Sequence, residues 1–181
     1  MDISRETALV ETILFLESDP VDVQTLVSAS GLAKHIVSDA IALLKNHYSQ
    51  DSHHGIELVE LAGGYILTPK KAYWESLKNK YGKKNENRLS RAALETLAII
   101  AYSQPVTRME IESIRGVSPD GMIRLLLEKN LIREVGRKDV PGKPIQFGTT
   151  KDFLLAFRLK SIADLPKLDE IEAERFELDG Q

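Results

Sequence analysis

Apolar residues recur every three or four positions through the opening of the chain: Leu9, Ile13 and Leu16, with Val10 and Leu14 beside them. That spacing predicts an amphipathic helix with this set turned inward. Asp19-Pro20 stops it, because the residue before a proline is pushed out of the helical region. Asp22 stands where a helix cap belongs, Val21 and Leu26 are spaced as a hydrophobic staple, and Gly31 ends this second helix. A third helix starts at about Lys34 with Val37, Ile41 and Leu44 on one face. The period then drops to two. Ile56 to Leu61 reads as a strand, Gly63-Gly64 as a hairpin turn and Tyr65 to Thr68 as the return. Pro69 ends the hairpin, and a helix carrying Trp74 and Leu77 follows.

The pattern then repeats. Ser90 caps a helix with Leu94, Leu97, Ala98 and Ala101 inward, and Gln104-Pro105 turns the chain. Thr107 with Glu110 forms a capping box, Val106 with Ile111 a staple, and Gly116 closes the helix. Ser118-Pro119-Asp120 opens the next one: the serine caps, the proline takes the first turn, and the carboxylate faces the positive helix end. Met122, Leu125, Leu126 and Leu131 supply its core face. Ile132 to Val135 and Ile145 to Phe147 read as strands around a loop from Arg137 to Lys143, and a short helix holds Phe153, Leu154 and Phe157. Tyr102, Phe147 and Phe157 are expected in the core. Ser18-Asp19-Pro20-Val21 returns 85 positions later as Ser103-Gln104-Pro105-Val106, with Ala8-Leu9 over Ala93-Leu94, Leu26 over Ile111 and Gly31 over Gly116. A period this long exceeds a solenoid unit and predicts two similar small domains. The expected division is 1–81, a polar linker at 82–88, 89–163, and an acidic tail at 164–181. Three helices followed by a hairpin is the order of a winged helix. The expected fold class is therefore mostly α with small β-hairpins (α+β), as two tandem winged-helix domains.

Composition sharpens this picture in three ways. A domain of this size buries only about 60% of its unfolded surface, so each gains by docking on something else. There is no cysteine, which excludes disulfides, thiol nucleophiles and cysteine-type zinc sites and fits a reducing cytosol. The start MDISRETALV lacks a basic-then-apolar signal pattern, and no apolar run approaches membrane-spanning length, so a cytoplasmic protein with no membrane partner is expected. Charge is segregated. Residues 1–81 carry 7 basic and 11 acidic side chains, residues 82–163 carry 15 and 9, and residues 164–181 carry 2 and 7. The middle segment suits an acidic partner, either DNA or an acidic protein segment; solvated faces that happen to differ are the alternative.

Candidate chemistry is sparse. GVSPDG at 116–121 lacks the glycine two residues after the serine that a nucleophile elbow needs, and Ser118 reads as a helix cap. His53-His54 are adjacent, so in extended chain they point to opposite faces and read as a solvated turn; His35 and His47 read as surface helix positions. No phosphate-cradling or metalloprotease motif is present, and Glu110 with Glu112 lie in no evident cleft. An enzyme is not expected, and neither a cofactor nor a metal is. For DNA, the third helices are poor readers: residues 119–130 carry Arg124 and Lys129 against Asp120 and Glu128. The hairpin loop is more basic, with Arg133, Arg137, Lys138 and Lys143 against Glu134 and Asp139. Duplex binding is expected to be weak at most, and a winged-helix DNA-binding regulator is the alternative function. Arg115, Arg124 and Arg137 are candidate partner contacts, since arginine is favoured at interfaces and grips carboxylates bidentately; Lys143 joins them from a loop restricted by Pro141 and Pro144.

The stretch LSRAALETLAIIAYSQPVTRMEIESIRGV at 89–117 closely resembles segregation and condensation protein B. The resemblance continues through LIREVGR at 131–137, PGKPIQFGTT at 141–150, FLLAF at 153–157 and DLPKL at 164–168. Lys143 stands where that family often has arginine, and Arg158 where it often has glycine; Lys143 lacks arginine's planar fork. The resemblance implies a cytoplasmic, nucleoid-associated, non-enzymatic accessory subunit of a bacterial condensin. It implies a homodimer formed largely through the first domain. It also implies binding to the kleisin, segregation and condensation protein A, and through it to a structural-maintenance-of-chromosomes ATPase, in chromosome condensation and partition during cell division.

Overall fold

In the computed structural model, which describes residues 3–50, 53–81 and 89–167, the first helix, α1, runs Ile3–Leu16. The expected linker at 82–88 and the tail beyond Lys167 lie outside the described residues. Two units separate, Met1–Arg88 and Leu89–Gln181. Among the described residues there are eight α-helices and two small antiparallel sheets, a mostly α fold with small β elements.

In the first unit α1 is followed by α2 (Val23–Ser30) and α3 (Lys34–Gln50). Asp22 caps α2 through Oδ1, which accepts from the Thr25 N–H at 2.8 Å, and Gly31 ends it in the left-handed region at φ 69°. Val21 and Leu26, the staple pair, are both buried, as are Val37, Ile41 and Leu44 of α3. β1 (Ile56–Leu61) and β2 (Gly64–Pro69) form the hairpin, and α4 (Lys71–Tyr81) follows with Trp74 half-buried and Leu77 exposed.

Two expectations fail in this unit. The turn residues are Ala62 and Gly63, both at positive φ (49° and 76°), because Leu61 pairs with Gly64. Gly64 belongs to the strand and lies against the chain at Pro20-Val21, where Val21 and Tyr65 exchange backbone hydrogen bonds of 2.9 and 2.8 Å. The second concerns α1. Val10 and Leu14 are the fully buried pair, with Ile13 packed beside them, whereas Leu9 and Leu16 are exposed. The apolar positions of α1 form two overlapping stripes, and packing on α3 selects one.

The second unit holds α5 (Arg91–Ser103), β3 (Val106–Thr107), α6 (Arg108–Arg115), α7 (Asp120–Glu128), β4 (Ile132–Arg137), β5 (Ile145–Thr149) and α8 (Lys151–Ala156). β5 lies between β3 and β4. Val106 pairs with Phe147 as Val21 pairs with Tyr65, so the repeated Pro-Val step does the same work in both units: it brings the chain onto the hairpin. The capping box of Thr107 and Glu110 forms as expected, and Gly116 ends α6 at φ 73°. Pairing slips between Glu134 and Gly136, leaving Val135 as an extra residue, a bulge that bends the strand.

Here too some faces differ from expectation. α5 buries Ala93, Thr96, Leu97, Ile100 and Ala101, while Leu94 and Ala98 are exposed. Thr96 is tolerated because its hydroxyl donates to the Ala92 carbonyl at 2.8 Å. Ile123 joins Leu126 in the core, and Met122 and Leu125 are only half-buried. Phe147 is buried, but Tyr102 and Phe157 are partly exposed. Ser118 does not cap α7; its hydroxyl donates to Asp120 Oδ2 at 3.0 Å, and Pro119 takes the cap position. The first residues of the expected acidic tail are packed: Leu165, half-buried, lies against the core, and the Pro166 carbonyl accepts from the Tyr102 hydroxyl at 2.8 Å.

Candidate partner-binding surfaces

Each unit offers one surface built from side chains that its own core does not use. In the second unit it is the hairpin between β4 and β5. The loop is held by its backbone: Lys138 N–H donates to the Pro144 carbonyl at 2.9 Å and Lys143 N–H to the Val140 carbonyl at 2.8 Å. Gly142 and Lys143 both sit at positive φ, 86° and 38°, so the tip reverses within two residues. Arg137 and Lys143 are brought together there, with Arg137 Nη1 donating to the Lys143 carbonyl at 3.1 Å, and both are exposed.

Lys138 is not part of that exposed set. Its Nζ donates to Glu110 Oε1 at 2.5 Å, tying the hairpin to the start of α6. The other Glu110 oxygen accepts from the Thr107 N–H and hydroxyl, each at 2.8 Å. Lys138 first, then Thr107, hold the Glu110 carboxyl down at about 2. A carboxyl depressed in the folded state adds stability above its ordinary value near 4.5, and that contribution is lost as pH falls through the folded value. Glu110→Gln should therefore cost about 1 kcal/mol at neutral pH, the scale of one exposed cap and ion pair. The gap to the parent chain should close between pH 4.5 and about 2. Amide exchange along α6 measures this; a gap that persists unchanged at the acid end would show that the carboxylate charge is not the cause.

The start of α7 is tied to α6 by a set of charges. The Arg108 guanidinium grips Asp120 with Nε (2.5 Å) and Nη2 (3.0 Å) and reaches Glu112 with Nη1 (2.7 Å). Arg108 first, then Ser118, hold the Asp120 carboxyl down at about 2, and the Arg108 guanidinium is raised above its ordinary value by the same carboxylates. Arg124 is exposed on α7. Arg115 is placed differently: its side chain is only 6% exposed, with Nη2 3.6 Å from Glu95 Oε2 and a buried, unpartnered Nε. Burial of an arginine at the end of α6 left no signal in the one-dimensional pattern, where it read as a surface charge.

In the first unit the surface lies on α1. At the register of the repeat, the buried α5 positions Ala93, Leu97, Ile100 and Ala101 correspond to Ala8, Thr12, Phe15 and Leu16, all of them exposed. Phe15 is 76% and Leu16 73% exposed. Of the stripe that packs inward in the second unit, Ala8, Phe15 and Leu16 are apolar and turned outward in the first, while Thr12 and the Thr96 counterpart Glu11 are polar. Beside it, α1 and α3 border an open groove of about 820 Å³ lined by Ala8, Glu11, Leu43, His47 and His53 among others. Buried Tyr48 donates to Glu11 there, and its hydroxyl is pushed up to about 12, by burial first and then by the Glu11 carboxylate.

Among the described residues no three histidine, aspartate or glutamate side chains gather as a metal-binding group. No single helix among them is long and apolar enough to cross a membrane.

Comparison with known proteins supplies what the geometry alone does not. Residues 8–168 match the family model of the segregation and condensation complex subunit ScpB. Segregation and condensation protein B of Acetivibrio thermocellus is 45% identical over 166 residues, covering 92% of this chain and 84% of that protein. The crystal structure of ScpB from Mycobacterium tuberculosis is 29% identical, with 87% of this chain and 97% of that chain covered at a TM-score of 0.42. A dimer of the ScpB N-terminal domain complexed with ScpA peptide is 22% identical over 46% of this chain and 97% of that one, at a TM-score of 0.42. The family match runs from α1 through the packed segment after α8 and takes in both surfaces, and the chain belongs to the segregation and condensation complex subunit ScpB family.

Proposed function

We propose that this chain is a non-catalytic accessory subunit of a bacterial condensin. It binds the kleisin, segregation and condensation protein A, and through it the structural-maintenance-of-chromosomes ATPase, in chromosome condensation and partition. The observation that carries this reading is the family match over residues 8–168, which spans both units rather than one. In this reading the protein works in the cytoplasm on the nucleoid. Residues 1–81 and 89–163 are tandem winged-helix domains. The helix order, the hairpins, and the third short pairing at Val21 and at Val106–Thr107 support that assignment. The first domain dimerises through the apolar face of α1, and the second carries the kleisin.

Arg124, Arg137 and Lys143 are the exposed contacts of the kleisin surface, and Arg115, buried at the end of α6, holds Glu95. The charge balance around α7 supports a protein partner over DNA, since residues 119–130 set Arg124 and Lys129 against Asp120 and Glu128 and offer a major groove no net positive charge. Calorimetry with purified kleisin tests the surface. Arg137→Ala and Lys143→Ala should each weaken binding by a factor of about 10 or more, the scale of a well-packed polar contact, with the dimer intact. Unchanged affinity in both, together with loss on changing the first unit, would place the docking surface on the wrong domain.

A further inference from the structure

We propose that His47 and His54 form a binding site for a divalent transition-metal ion, with zinc as the ion their chemistry fits. His47 lies in the last turn of α3 and His54 in the link to β1. Their Nε2 atoms stand 3.0 Å apart, and the ring centres 4.7 Å apart with planes at 56°.

A straight N–H···N bond of that length would hold the ring centres about 5.3 Å apart, since each nitrogen lies about 1.15 Å from its ring centre. The observed 4.7 Å is shorter, so the two nitrogens and the two ring centres do not lie on one straight line. An ion about 2.05 Å from each nitrogen, seen at an angle of about 94°, places the ring centres about 4.7 Å apart. The nitrogen separation and the ring-centre separation both match those of a two-imidazole chelate. Without an ion, one Nε2–H donates to the other Nε2; with one, the donor ring carries its proton on Nδ1 instead and both Nε2 lone pairs bind the metal.

The rings are also held from behind. Tyr48 is buried, donates to Glu11 of α1, and packs edge-on against both imidazoles, at 5.6 Å from His47 and 5.1 Å from His54. A core side chain thus sets the orientation of both ligands before the ion arrives, which lowers the cost of ordering them. His47 is exposed and His54 half-buried, so water can complete the coordination. Imidazole suits zinc, copper and nickel, whereas calcium and magnesium prefer oxygen ligands. Among the described residues no third protein ligand joins the pair. The site is accordingly an exchangeable one, far weaker than a closed structural zinc centre. Bound metal joins the end of α3 to the segment entering β1, at the wall of the groove that His47 lines.

The test uses the full chain without a polyhistidine tag, titrated calorimetrically with zinc chloride. One ion should bind per chain, and His47→Gln and His54→Gln should each weaken binding at least tenfold, with His35→Gln as the unchanged control. Binding that neither substitution weakens tenfold, or no binding at millimolar zinc, would overturn the proposal. Should a variant fail to fold, imidazole NMR of the parent chain decides. Ring signals of His47 and His54 shifting together at stoichiometric zinc support the site, and shifts confined to other histidines remove it.

Discussion

A chain carrying Phe15→Asp and Leu16→Asp is expected to sediment as a monomer at concentrations where the parent chain is a dimer. The expectation rests on the proposed dimer and on the outward face of α1. Both side chains are about three-quarters exposed, and their counterparts in the second unit, Ile100 and Ala101, are core. Burying a phenylalanine and a leucine contributes roughly 1.5–3 kcal/mol each. A two-fold interface uses the same patch from both chains, so each substitution counts twice. Carboxylates in their place are left unpaired and face like charges. The dimer should weaken by a factor of about 1,000 or more, equivalent to at least about 4 kcal/mol. The fold should survive, because neither side chain belongs to the core of its own unit. Fluorescence of Trp74, the one tryptophan of the chain, reports that directly. A double variant that keeps its parent's dimer constant would exclude this face of α1 from the interface.

Gly64→Ala is expected to produce the largest loss of stability of any single methyl addition in the first unit. A Cβ there would stand 2.8 Å from the Pro20 carbonyl carbon and 2.9 Å from both the nitrogen and the carbonyl carbon of Val21. These are backbone atoms, so they cannot swing aside as a side chain does. Relief requires the Pro20-Val21 segment to withdraw from β2, breaking the two hydrogen bonds between Val21 and Tyr65. Overpacking strain plus two lost bonds amounts to about 3 kcal/mol, or roughly 15 °C in the midpoint of a unit this size. Gly148 in the second unit provides the contrast. Its added Cβ would meet Gln104 Oε1 and Val135 Cγ1, each at 2.9 Å, which are side-chain atoms able to give way. Gly148→Ala should therefore cost clearly less. Urea unfolding followed through Trp74 for Gly64→Ala, and through helix dichroism for both, separates the two. Equal costs would mean that the backbone approach at Gly64 is not what holds the hairpin.

Helix ends were legible in the residues because a cap is a local object. Asp22 and Thr107 reach N–H groups only three residues on, and Gly31 and Gly116 need only their own left-handed φ. The Pro-Val repeat was legible for the same reason, and the family resemblance rested on contiguous blocks. Where a contact from elsewhere in the fold fixed the local partner, reading along the chain failed. Ser118 stands where a cap belongs but donates to Asp120, a carboxylate already gripped by Arg108 from another helix. The turn at Gly63-Gly64 moved back by one because Gly64 is needed where another stretch of backbone passes.

The amino-acid sequence alone determined the order of elements, their capped ends and the family, because each depends on neighbours along the chain. Only the tertiary structure decided which stripe of each helix is core, which charges are already taken, and which histidines meet. Val10 and Leu14 rather than Leu9 and Leu16, Arg115 inside rather than outside, and His47 against His54 follow from where whole helices pack. A helix with apolar residues on two stripes has two nearly equal ways to face inward, and packing against α3 or against a second chain settles the choice.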